Sequence, residues 1–202
     1  MVASLLNAKG TLLSLEEDKK LLISTLIHCL GDNKIAIRQL TQHILNILID
    51  SVPNIVEFLV PSLELSNWHI REEILIFIIR LMLTHKDKVL DFSYITKAIA
   101  KLLNDPVPKV IQVAYEALTT LAHIRHKDHI LEILINMLDE FTYRKLYIRI
   151  EAGELPILKQ DGELEFPYLT SRLFVKSSFY TNHNLEDSLP LIAPKLKEMV
   201  SC

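Results

Sequence analysis

Histidines at positions 123, 126 and 129, with Asp128 beside the last, come nearest in this chain to a metal site, because side chains three apart on a helix share a face and can share a cation. The run His123-Ile124-Arg125-His126-Lys127-Asp128-His129 falls at an expected helix end, however, where Arg125 and Lys127 would repel the ion. Histidines near a helix C-terminus are also accounted for by the macrodipole. The ligand set is incomplete, and no metal is expected. The acidic pairs Glu16-Glu17 and Glu72-Glu73 are sequence neighbours that point in different directions on a helix, which suits solvated surface rather than a paired acid and base. The chain contains no glycine-rich phosphate loop, nucleophile elbow, HExxH or kinase signature. It reads as non-enzymatic, with no cofactor.

The loop Ser66-Asn67-Trp68-His69 has binding chemistry instead, because it holds the only Trp of the chain three residues before a charged hydrogen-bond donor, Arg71. A loop Trp is a large, rigid interface anchor, and Arg adds charge-assisted hydrogen bonds. The competing reading folds the ring back over the helix ends as part of the core. Asn33-Lys34 and Pro106, Pro108 and Lys109 occupy equivalent loops before and after it. Asn33, Lys34, Asn67, Trp68, His69, Arg71 and Lys109 are therefore the candidate partner-binding residues, a row suited to a flat acidic surface.

The elements that must position this row repeat one pattern. Segments from Leu30, Leu63 and Leu103 each contain the end of an apolar helix, a short polar loop and a second apolar helix. Aligning Ile37, Ile70 and Val110 gives spacings of 33 and then 40 residues, the range of HEAT and armadillo helix pairs. Stripes at Ile37, Leu40, Ile44 and Leu48, at Ile70, Ile74, Phe77 and Leu81, and at Val110, Val113, Ala114, Ala117 and Leu121 mark the buried faces of the second helices. The first helices are expected from about Ser14 to Leu30, Asn54 to Leu65 and Phe92 to Leu103, with a fourth from Asp128 to Asp139. Gly31 is expected to end the first in a left-handed conformation. The fold class is thus all-α, a solenoid of HEAT-like pairs over residues 1–141, with connectors and intra-pair loops on opposite edges.

From Thr142 the pattern changes, because Leu146, Ile148 and Ile150 alternate with Tyr147, Arg149 and Glu151. Residues 142–202 are accordingly expected to be an extended segment, with a tight turn at Lys159 to Glu163 and a short helix at 185–200.

Composition excludes several classes. The chain has 202 residues, half of them hydrophobic, and 22 Lys and Arg against 25 Asp and Glu give a formal charge of −3, so there is no basic field to attract nucleic acid. Two cysteines supply neither a disulfide framework nor a zinc set, which points to a reducing compartment. The start MVASLLNAKG lacks the pattern of a signal peptide, and the most apolar window, Ile74 to Leu83, contains Arg80 and is too short to span a bilayer. An intracellular monomer without membrane contact is expected. Solenoids of this kind bind macromolecules along their edges and faces.

The three helix pairs from Leu21 to Ala122, with Asn67-Trp68-His69-Ile70-Arg71-Glu72-Glu73 at a loop edge, resemble a TOG domain, the HEAT-type tubulin-binding module of microtubule regulators. His69-Ile70-Arg71-Glu72-Glu73-Ile74-Leu75, together with Tyr143-Arg144-Lys145 leading into Tyr147-Ile148-Arg149-Ile150-Glu151-Ala152-Gly153, is most similar to the crescerin-type TOG-array proteins of cilia. The resemblance spans some two thirds of the chain. It implies recognition of tubulin or microtubules by the loop edge, with Trp68 as anchor, Lys34, Arg71 and Lys109 as charge partners, and Asn33 and Asn67 as hydrogen-bonding residues. A cytoplasmic, cytoskeletal location follows from it, including the cilium or axoneme. The alternative is a general HEAT-type scaffold that binds a protein or peptide in its concave surface without binding tubulin.

Overall fold

The computed structural model of the chain describes residues 16–49, 52, 55–85, 92–125, 127–160 and 162–167. Among these residues, helices α1 (Glu16–Leu30) and α2 (Ile35–Leu48) form the first pair. Helix α3 (Ile55–Leu59), extended by a 3-10 turn over Val60–Glu64, precedes α4 (Trp68–Thr84). Helix α5 (Phe92–Lys101), with its 3-10 turn Leu102–Asn104, precedes α6 (Pro108–Ile124). Helices α7 (Lys127–Ile135) and α8 (Glu140–Glu151) complete a fourth pair. A hairpin of β1 (Ile157–Leu158) and β2 (Leu164–Glu165) follows. The expected helix pairs over residues 15–125 are present; the Ser14 cap lies outside the described residues.

The second helices stack as the core of the solenoid. Helix α4 is buried on nearly every side through Ile74, Leu75, Phe77, Ile78, Ile79, Leu81 and Met82, as a helix between two layers must be. Its closest neighbour is α6, where the fully buried Ala114 and Ala117 leave room for the larger side chains of α4. The stripes read at Ile70 to Leu81 and at Val110 to Leu121 are the buried faces.

The stripe on α2 is not the expected one. The structure buries Arg38, Thr41, Gln42, Leu45 and Leu48, while Leu40 is 53% exposed and Ile37 and Ile44 are half-buried. The reason is polar. Arg38 Nε donates to Glu73 Oε1 at 2.9 Å, Gln42 Nε2 donates to the Glu73 carbonyl at 2.7 Å, and Arg80 Nη1 donates to Gln42 Oε1 at 2.9 Å. Hydrogen bonds to α4 set the rotation of α2, because leaving these buried groups unpaired would cost more than exposing one leucine.

Residues 142–151 are helical rather than extended. Asp139 caps α8 by accepting from the Thr142 amide at 3.0 Å, and the helix buries Leu146, Arg149 and Ile150, an i, i+3, i+4 set. Arg149 Nε donates to Glu116 Oε1 of α6 at 2.8 Å in a pair that solvent does not reach. Gly153, at φ 72°, ends the helix in the left-handed region. The expected turn at Lys159 to Glu163 is present: the Lys159 amide donates to the Glu163 carbonyl at 2.9 Å, and Gly162 adopts φ 85°. The extended chain expected for 168–184 and the helix at 185–200 lie outside the described residues.

Candidate partner-binding edge

The three intra-pair loops are joined to one another. Asn67 occupies the N-cap of α4, where its Oδ1 accepts from the His69 amide at 3.0 Å, while its Nδ2 donates to the Gly31 carbonyl of the first loop at 3.0 Å. Gly31 is needed for that approach: a Cβ there would lie 2.5 Å from Asn67 Nδ2 and 3.0 Å from Ile70. Close approach, rather than the expected left-handed φ, is its role, since the positive-φ glycines among the described residues are Gly153 and Gly162.

The second loop is tied to the third by Arg71. Its Nε and Nη2 donate to the two carboxylate oxygens of Asp105 at 2.7 and 3.0 Å, and its Nη1 donates to the carbonyls of Leu65 and Ser66 at 2.6 and 2.9 Å. Asp105 also accepts from the Val107 amide at 2.8 Å, fixing the entry into α6. Arg38 does the same for the first loop, with Nη1 donating to the carbonyls of Asp32 and Asn33. Arg71 is therefore corrected from an exposed charge partner to a buried residue that positions the loops, its charge consumed by a bidentate pair.

What remains outward is compact. Asn33 and Lys34 are exposed at the start of α2, and the Lys34 amide donates to Asp32 Oδ1 at 2.7 Å. Trp68 is half-buried, packed against the core on one side and stacked on His69 with ring centres 3.7 Å apart and planes inclined by 30°. Lys109, exposed in the first turn of α6, places its Nζ 5.5 Å from the Trp68 ring centre, within the range of a cation–π contact. The ring is thus neither wholly in the core nor wholly in solvent.

Electrostatics follow from this crowding. Burial and the nearby Arg38 and Lys109 charges hold the His69 imidazole below its ordinary pKa, opposed by Glu73. Its Nδ1 is buried without a hydrogen-bond partner. Burial pushes the Glu72 carboxyl up, with Glu73 adding to the rise and Lys109 and Arg38 opposing it. The edge presents cations and an aromatic face, with the Glu72 carboxyl, pushed up by burial, behind them.

The chain matches no family model and no curated protein. A solved structure of crescerin, a protein described as using a TOG domain array to regulate microtubules in the primary cilium, superposes with a TM-score of 0.67 at 24% sequence identity. The fold is TOG-like. The match covers 73% of this chain and 63% of that one, so the chain spans less than two thirds of the length of the TOG structure.

Two of the three clustered histidines are among the described residues. His123 Nδ1 lies 2.9 Å from the Thr119 carbonyl, His129 faces Glu132, and His126 lies outside the described residues. Among the described residues no group of three or more His, Cys, Asp or Glu is placed to hold a metal, and no helix is long and apolar enough to cross a membrane. Asp105 was missed by reasoning from sequence and Gly31 was read only as a helix terminator, although Arg38 and Arg71 recur at a 33-residue spacing and each needs an acceptor from the neighbouring repeat.

Proposed function

We propose that the chain is a non-enzymatic, tubulin- or microtubule-binding TOG-like module of a cytoskeletal or ciliary protein, and that Trp68, His69, Lys109, Lys34 and Asn33 form its contact edge. The observation that carries this reading is Trp68 beside Lys109 at an exposed loop edge whose three loops are cross-tied by Asn67 and Arg71. A rigid aromatic flanked by exposed cations suits a flat, acidic protein surface, and the cross-ties reduce the ordering cost of binding. The TOG-like solenoid supports tubulin as that surface. Asn67 and Arg71 act here as positioning residues.

Size-exclusion chromatography and co-sedimentation with purified tubulin test the proposal. Trp68→Ala should cost on the order of 2 kcal/mol in binding, as interface aromatics do. Its cost to stability should stay below the about 3–5 kcal/mol of a fully buried aromatic, because part of the ring is already in solvent. No complex with the parent chain, in either soluble tubulin or microtubules, would overturn the assignment.

A further inference from the structure

A polar seam separate from the loop edge lies where α2 meets α4. Arg80 is more than nine-tenths buried there, its Nη1 donates to the neutral amide of Gln42 at 2.9 Å, and its Nε has no hydrogen-bond partner. A buried guanidinium ordinarily meets a carboxylate. Helices α2 and α4 bring two cations to this seam, Arg38 and Arg80, and the Glu73 carboxylate beside them is already bonded to Arg38 and Gln42. Glu72, also on α4, is acted on by Lys109 and Arg38, and burial holds its carboxyl up. The missing negative charge comes from far along the chain. Glu163, in the β1–β2 turn, accepts from Gln39 Nε2 at 3.3 Å, one helical turn from Gln42, and its charge acts on Arg80 together with that of Glu73, against the burial that disfavours the ion.

We propose that this seam is a receptor for an acidic, extended segment of a partner protein, and that the β1–β2 hairpin occupies it in cis through Glu163. The occupant defines the class of ligand, because Glu163-Leu164-Glu165-Phe166 alternates carboxylates with apolar residues and Leu164 and Phe166 pack against the core. A partner strand with the same alternation would give Arg80 and Gln39 a carboxylate while filling the same apolar contacts. The hairpin is suited to displacement. Its strands are two residues each, below the size at which an isolated pair is stable, and the Gln39–Glu163 bond is long and exposed.

The probe is a fluorescein-labelled peptide of residues 157–166, titrated by anisotropy into the full chain and into its Gly162→Val variant. Gly162 sits at φ 85° with open space around its Cβ direction, so valine strains the turn without touching the helices. The variant, with its own hairpin loosened, should bind the peptide at least tenfold more tightly than the parent, and Glu163→Gln within the peptide should weaken binding severalfold. In the parent, saturating unlabelled peptide should abolish hydrogen-exchange protection of the Lys159 amide, which bonds to the Glu163 carbonyl at 2.9 Å. Equal affinity for parent and variant, indifference to the peptide carboxylate, or retained Lys159 protection with peptide bound would each overturn the proposal. No tubulin is present in this assay, so its failure leaves the loop-edge reading standing.

Discussion

Arg71 and Lys109 carry the same charge on the same edge, yet changing them should have different kinds of effect. Arg71→Ala strands the buried Asp105 carboxylate and frees two loop carbonyls, so it should destabilise the fold by about 3–5 kcal/mol in urea unfolding, the cost of breaking a buried pair. Lys109→Glu touches only the exposed face, so it should leave the melting temperature unchanged and weaken tubulin binding severalfold, more at low salt. Residue type and spacing located this edge but did not separate these roles, because an Arg three residues after a loop Trp reads as exposed until the Asp105 that neutralises it is placed beside it. His69 makes a third test. Its lowered pKa means that the unfolded chain takes up the proton first as pH falls through about 6.5, so its contribution to stability is whole above that value and declines toward the folded pKa. Proton NMR should find the His69 midpoint below that of a free imidazole, and Lys109→Ala should raise it.

Helix α2 shows how a polar seam can overrule an apolar stripe. Hydrophobic periodicity pointed to Ile37, Leu40 and Ile44 as the buried face, but Arg38 and Gln42 turn the helix so that Glu73 can be satisfied. Leu45→Ala should therefore cost about 2–5 kcal/mol, the range for a buried leucine, whereas Leu40→Ala should fall within about 0.5 kcal/mol, as surface changes do. Equal losses in chemical denaturation would restore the original stripe. Helix α8 was illegible for a related reason. Alternation of Leu146, Ile148 and Ile150 has the period of a strand, and the decisive facts are the Asp139 cap and the buried Glu116 that draws Arg149 inward while Ile148 is left 37% exposed. Helices α4 and α6 were legible because the faces they turn to each other are apolar, and apolar contacts obey the 3.6-residue period.

Among the described residues, charge pairs bridge successive repeats: the part-buried Arg38–Glu73 between α2 and α4, and the buried Arg71–Asp105 between α4 and the third pair and Glu116–Arg149 between α6 and α8. Such a stack holds together through nearest-neighbour terms, so damage at one junction should stay local. Glu116→Ala leaves Arg149 buried without its carboxylate and should release α8 first. Native-state hydrogen exchange should show lost protection over 140–151 while α4 keeps its own, and simultaneous loss in both helices would show that the stack unfolds as one unit. The repeat period itself was legible throughout, since three loops and three stripes recur with it; the junctions were not, because each needs two residues more than 30 positions apart.

The stacking of Trp68 on His69 also gives the loop edge an optical property. The only indole of the chain lies 3.7 Å from an imidazole, close enough for a protonated ring to quench its excited state by charge transfer. Emission from the unlabelled protein should therefore dim on acidification with the midpoint of His69 rather than that of any other histidine. A bound surface that prises the two rings apart, or withdraws the indole from water, would change that signal at constant pH. The protein would in this way report the occupancy of its own edge by light.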